Sequence, residues 1–173
     1  MELPKRRSPR LKGYDYSRNG AYFVTICTYK RKKMLSSIVG EGSPLPQLTV
    51  AGMIAKKWIE CIDQKYPTVL PKYYVIMPNH IHLLLHMIGD GRGDPSPTVN
   101  DVVGWLKYHI TREVNSFLHS NGEKQFQRSY HDHVIRDKHD YDKIATYIHE
   151  NPLKWKDDRF YYEGECDATK TIH

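Results

Sequence analysis

Cysteine is scarce in this chain: Cys27, Cys61 and Cys166 are the only three in 173 residues, an odd number without paired spacing. That excludes a disulfide framework and a thiolate metal cluster, and it fits reduced thiols in a cytoplasmic protein. No apolar run approaches the ~18 residues of a membrane span, and the first residues lack the apolar core of a signal peptide. A nucleotide-type phosphate loop is missing too. Gly89-Asp-Gly-Arg-Gly-Asp-Pro-Ser-Pro97 is glycine-rich, but no Gly-Lys-Ser/Thr ending follows, so it reads as a connector. Its Arg92-Gly93-Asp94, without a secretion signal, is a coincidence of composition. No internal repeat is present. The expectation is a soluble, cytoplasmic single domain with no membrane partner.

An excess of acid is also missing. The formal net charge is +6 and the pI near 9.1, which favours a polyanionic partner. The charge is unevenly placed. Lys5, Arg6, Arg7, Arg10 and Lys12 against Glu2 give the first twelve residues +4, and Lys30, Arg31, Lys32 and Lys33 add another +4. Residues 1–20, with Pro4, Pro9, Gly13 and Gly20, therefore read as a basic N-terminal arm, 21–155 as the folded domain, and 156–173 as a C-terminal tail. A solvated charge run that aids solubility is the plain alternative.

The pattern of the domain is strand, helix, strand, strand, helix, strand, helix. Tyr22–Tyr29 is aromatic and β-branched and reads as the first strand. Thr49 caps a helix to about Lys65, with Ile54, Trp58, Ile59 and Ile62 on one stripe. Val69–Met77 and Asn79–Met87 are two strands broken at Pro78, which cannot donate to a ladder. Thr98, with Asp101 three residues on, opens a helix to about Ser120 whose stripe is Val103, Leu106, Ile110, Val114 and Phe117. Tyr130–Ile135 is a fourth strand. Asp137, with Asp140 three on, caps a last helix that Pro152 ends. The first six elements match the α+β, ferredoxin-like βαββαβ order: a four-stranded antiparallel sheet with two helices on one face, here followed by a C-terminal helix.

The chemistry sits in His80-Ile81-His82. Alternation along a strand puts both imidazoles on one face and Ile81 and Leu83 on the other. Two neighbouring imidazoles on a rigid strand are spaced to hold one metal ion, although a lone His-x-His is more often structural. The pattern that continues into Asp-His in metallo-hydrolases is absent, because Leu83 and Leu84 follow. His86 lies about 13 Å from His82 by strand rise and reads as a neighbour. Two imidazoles with an added amide or carboxylate oxygen suit Mg²⁺ or Mn²⁺. On the last helix Tyr147 and Asn151 stand four apart, on one face. Tyr147 offers a nucleophile and Asn151 a hard oxygen, with Glu150 able to substitute for it. The bland readings are a tyrosine packed on the sheet and an asparagine that ends a helix before Pro152. The open face of the sheet gives the last helix a route to the histidines.

Three segments together resemble a known family. They are Tyr22-Phe-Val-Thr-Ile-Cys-Thr, Met77-Pro-Asn-His-Ile-His-Leu, and Gln127-Arg-Ser-Tyr-His-Asp-His-Val-Ile-Arg136 followed by Tyr147-Ile-His-Glu-Asn-Pro152. In order, they resemble the REP-associated tyrosine transposases, IS200-like members of the HUH superfamily of single-tyrosine transposases. The resemblance covers about residues 5–155. It implies a ferredoxin-like domain that nicks and joins single-stranded DNA with Mg²⁺ or Mn²⁺. In it His80 and His82 match the metal ligands, and Tyr147 matches the nucleophile that forms a 5′-phosphotyrosine and a free 3′-OH. Asn151 falls where mobile relatives carry glutamine as third ligand. The implied target is a DNA hairpin, gripped by Arg6, Arg7, Arg10 and Lys12 and by Lys30 to Lys33, with Tyr14 and Tyr16 placed to stack on bases. A monomer and a homodimer that exchanges tyrosine helices both fit. The alternative function is a catalytically inactive protein that binds hairpin DNA.

Overall fold

The computed structural model describes residues 19–38, 45–89, 97–120 and 122–161. The basic arm with Arg6, Arg7, Arg10, Lys12, Tyr14 and Tyr16 lies outside these residues, as does most of the 89–97 connector.

Four strands, β1 (Gly20–Cys27), β4 (Val69–Ile76), β5 (His80–Met87) and β6 (His131–Ile135), form an antiparallel sheet in the order β4-β5-β1-β6. The small strands β2 (Ser36–Ser37) and β3 (Gln47–Leu48) pair apart from it. The two inner strands, β1 and β5, are covered on both faces. β5 accordingly reads as a nearly unbroken buried run, and its alternation is carried by residue type alone. Ile81, Leu83 and Leu85 join the larger core with Tyr22, Val24, Ile26, Leu106 and Ile110. Leu84 joins a smaller core on the other face, with Val75, Met77, Ile144, Ile148 and Trp155.

The larger core lies under α1 (Val50–Glu60), the short α2 (Ile62–Lys65) and α3 (Val99–Phe117). Thr49 caps α1 by accepting from the Gly52 N–H at 3.1 Å. The expected single helix to Lys65 is interrupted at Cys61, and within its stripe Ile54, Ile59 and Ile62 are buried while Trp58 is half-buried. Thr98 and Asp101 form the anticipated capping box of α3. Of the α3 stripe, Val103, Leu106, Ile110 and Val114 are buried; Phe117, in the last turn, is exposed. Lys57 and Trp58 of α1 both reach Glu113 of α3, Trp58 Nε1 donating at 2.8 Å.

The opposite face receives α4 (Lys138–Glu150), capped by Asp137, whose carboxylate accepts from the Asp140 N–H at 2.8 Å. Ile144 and Ile148, four apart, anchor the helix against the sheet. Asn151 keeps helical dihedrals (φ −53°, ψ −41°) although it precedes Pro152, a combination sterically disfavoured. The helical path thus continues one residue into the turn, and Asn151 stays on the face that carries Tyr147. A 3₁₀ turn at Trp155–Asp157 then folds residues 158–161 back over the sheet.

Candidate active site

His80 and His82 open β5 opposite Cys27 and Thr25 of β1, and neither has any solvent exposure. Their Nε2 atoms lie 3.0 Å apart. Each ring is held from behind. His80 Nδ1 is 2.8 Å from Asn79 Oδ1, and Asn79 Nδ2 donates to the Phe160 carbonyl at 2.9 Å. That second bond fixes the Asn79 amide, so Asn79 Oδ1 accepts, His80 Nδ1 carries the proton, and the Nε2 lone pair faces the centre. His82 Nδ1 is 2.8 Å from Thr25 Oγ1, a hydroxyl able to accept or donate. Burial lowers the pKa of both imidazoles. The neighbouring His82 lowers His80 further, and Asp158 partly opposes the shift at both rings.

Tyr147 reaches this centre within the same chain. Its hydroxyl lies 3.4 Å from His82 Nε2 and donates to Asp158 Oδ2 at 3.1 Å. Phe23 of β1 holds the phenol ring edge-on at 6.0 Å and lies 5.1 Å from the His82 ring. Burial, then the Asp158 carboxylate, pushes the Tyr147 phenol up to about 12.

Asp158 completes the cluster. Its Oδ2 accepts from Asn151 Nδ2 at 2.5 Å and stands 4.0 Å from each histidine Nε2, while its Oδ1 accepts from the Phe160 N–H. Burial pushes its carboxyl up, but the nearby His82 imidazole and the hydrogen bonds from Asn151 and the Phe160 amide more than reverse that, and it lies well below the usual carboxylate range. Asn151 is buried and its Oδ1 has no hydrogen-bond partner. Glu150 points away and pairs with Lys154 at 2.6 Å.

These residues fit a divalent ion. A triangle with sides of 3.0, 4.0 and 4.0 Å between the two Nε2 atoms and Asp158 Oδ2 has a centre about 2.2 Å from each corner, close to the ~2.0–2.2 Å bonds of such ions. Two imidazoles and a carboxylate form a mixed nitrogen and oxygen donor set; Asn151 turns its Nδ2 to that carboxylate and leaves its buried Oδ1 without a partner.

The centre is covered. Phe160 lies 4.8 Å from the His80 ring and 5.8 Å from His82, and Trp155 lies 5.8 Å from His80. Arg31 and Arg159 sit over the Phe160 ring at 5.7 and 4.5 Å and make the rim electropositive. Of the basic turn after β1, Lys30, Arg31 and Lys32 are exposed and Lys33 is half-buried. His86 stays apart, its ring 5.4 Å from Tyr141.

The structure therefore brings His80, His82, Tyr147 and Asn151 together. Two contributors escaped the sequence reading. Asn79 lies inside the quoted Pro-Asn-His-Ile-His run, and its neighbour position to His80 was the available signal. Asp158 lies in the stretch read as tail, where Asp157-Asp158, seven residues past Asn151, was the only hint.

Fold and centre define an α+β domain in which a strand-borne histidine pair meets a helix-borne tyrosine. The profile of the family described as Transposase IS200 like matches residues 3–151. The chain belongs to that family. An uncharacterized protein of Haemophilus influenzae is 31% identical over 172 residues, spanning 91% of this chain and 94% of its own length. A second protein of that organism, provisionally named a REP-associated tyrosine transposase, is 27% identical over 149 residues, spanning 81% of this chain and 74% of its own. Among solved structures, a REP-associated tyrosine transposase bound to a REP hairpin shares the fold, with a TM-score of 0.55 and 18% identity over 84% of this chain and 74% of that one.

Proposed function

We propose that this chain is a metal-dependent endonuclease and strand transferase for single-stranded DNA that acts on hairpins of the REP type. Tyr147 is the nucleophile; His80 and His82, with oxygen from Asp158 and Asn151, hold Mg²⁺ or Mn²⁺. The observation that carries this reading is the Tyr147 hydroxyl lying 3.4 Å from His82 Nε2 although 65 residues separate them. The hairpin comes from the ligand of the structural neighbour, and the REP association also from the name of one relative.

A bound ion would draw charge from the scissile phosphate and stabilise the crowded transition state. Tyr147 Oη attacks phosphorus, the bond from phosphorus to the 3′ oxygen breaks, and that oxygen leaves with a proton as a free 3′-OH. The 5′ phosphate remains on Tyr147 as an ester, so a later 3′-OH reverses the step and joins strands without a nucleotide cofactor. The phenol must lose its proton first. Asp158 accepts the phenol's hydrogen bond, yet the phenol titrates near 12 and the carboxyl well below its ordinary range. In this closed arrangement Asp158 therefore holds the phenol neutral. Asn79 and Thr25 fix the imidazoles, and Arg31 and Arg159 supply positive charge for the incoming phosphate. Phe160 must move before a phosphate meets the histidines.

A second reading, an inactive hairpin-binding protein, is favoured by one observation: both histidines are fully covered. Incubation of end-labelled single-stranded hairpin DNA with Mn²⁺ separates the two. The enzyme gives a covalent band on a denaturing gel that is lost in Tyr147→Phe and His80→Ala. Binding without any cleavage under all metals would leave the inactive reading.

A further inference from the structure

We propose that the pocket between α3 and the 122–128 loop seats one nucleotide of the substrate strand, its base on Tyr29 and its phosphate on Lys124 and Arg128. This rests on the single-stranded DNA reading above and adds to it a position where the strand is held beside the scissile phosphate.

The pocket has a volume of about 540 Å³, within the ~300–1,000 Å³ of small-ligand clefts. Its walls include Tyr29, Lys107, Asn115, Glu123, Lys124 and Arg128. Three cations face one carboxylate, a balance that suits a phosphate. Tyr29 is 41% exposed, large enough to offer its face to a base. Lys30 and Lys124 stand over its ring, 5.7 and 5.9 Å from the centroid, as exposed cations that a stacked base displaces toward its phosphate.

Lys107 is the least ordinary member. It is half-buried and donates to the carbonyls of Gln127 at 2.5 Å and Arg128 at 2.9 Å. Among the described residues its ammonium has no carboxylate partner, and burial lowers its pKa. A partly desolvated cation held only by dipoles gains from an anion brought alongside. Lys30 and Arg31 have left-handed backbone (φ 53° and 56°), an uncommon conformation for long side chains. Such strain persists where the surroundings enforce it, often at binding sites.

The pocket is tied to the histidine pair by backbone. The Tyr29 N–H donates to the Gln125 carbonyl at 2.8 Å, and the Gln127 N–H to the Cys27 carbonyl at 2.9 Å. Cys27 is the β1 partner of His80, and the Thr28 N–H donates at 2.9 Å to the carbonyl of Asn79, the residue that orients His80, while the Thr28 hydroxyl lies between that carbonyl and the one of Lys32. Tyr29 therefore stands two residues beyond the strand position that faces the metal-binding end of β5. Glu123, the single carboxylate, is suited to accept from an exocyclic amine of the base.

The test is photo-crosslinking of the whole protein to a single-stranded oligodeoxynucleotide carrying 5-iododeoxyuridine at successive positions, with peptide mapping and affinity measured in parallel. The expected crosslink falls on Tyr29. Tyr29→Ala should weaken binding about tenfold, a typical loss for one stacked base, while Tyr29→Phe binds like the parent. Tyr108→Ala, an exposed control elsewhere on α3, should change nothing. Crosslinks confined to other residues, with unchanged affinity in Tyr29→Ala, would overturn the pocket even if the same samples cleave DNA. Crosslinking at Tyr29 in samples that never cleave would keep the pocket and remove the nuclease reading.

Discussion

His80 and His82 are stabilised as neutral rings, and this makes stability depend on pH in a definite direction. Each has a folded pKa below its ordinary value, chiefly through burial. Unfolded imidazoles titrate near ~6.5, so below that pH the unfolded chain binds more protons and stability falls. The metal-free protein in chelator should therefore lose Tm between pH 7.5 and pH 5. The slope approaches ~1.4 kcal/mol per pH unit per group, or about 3–6 °C for a domain of this size. A Tm that is flat across that window would contradict buried, neutral histidines. Asp158 has the same sign in another window: its depressed carboxyl favours the folded state at neutral pH, and that contribution fades only in acid, below the ordinary carboxylate range. At this scale the sequence was legible where periodicity spoke, at His80, His82, Tyr147 and Asn151. Asp158 was not. It reaches the centre through an irregular turn, and one carboxylate among 20 acidic residues carries no pattern.

Elements were placed by caps and breakers more surely than by length. Thr49, Thr98 and Asp137 each begin a helix through a side-chain bond to the backbone, as their spacing indicated. What failed to show was the short β2–β3 pair, the packing of the segment before it on α1, and the break of the helix at Cys61. Gly52 illustrates the point. A Cβ there would lie 1.9 Å from the Leu35 carbonyl oxygen, and that same oxygen accepts from the Thr49 N–H at 3.0 Å. Gly52→Ala must push α1 away from the segment before β2. The expected cost is about 1–3 kcal/mol, as for overpacked sites, measured as a lower midpoint in urea at unchanged slope. Unaltered stability would mean that α1 is not held this tightly. Tyr147 and Asn151 show the other side of local reading. The helix spacing predicted a shared face, and the helical dihedrals of Asn151 before Pro152 preserve it.

For the whole molecule, the four-stranded antiparallel sheet and the helix on its second face were foreseen, because βαββαβ leaves one face free for a following helix. Within the described residues no helix is long and apolar enough to cross a membrane. Tyr147 meets the His82 of its own sheet, so the proposed centre draws its tyrosine and its histidines from the same chain. Mixing Tyr147→Phe with His80→Ala should accordingly fail to restore DNA cleavage. Recovery of activity in the mixture, read on the same denaturing gel, would require tyrosine helices to exchange between subunits. The net charge of +6 adds a sequence-independent attraction for DNA that weakens with salt.

The most direct measurement is mass spectrometry of the protein digested after reaction with a single-stranded hairpin in Mn²⁺. Convergence of phenol and imidazoles predicts a nucleotide phosphate on the peptide that contains Tyr147, and on no other. Cleaved DNA with an unmodified Tyr147, or an adduct carried by Tyr161 or another side chain, would contradict it.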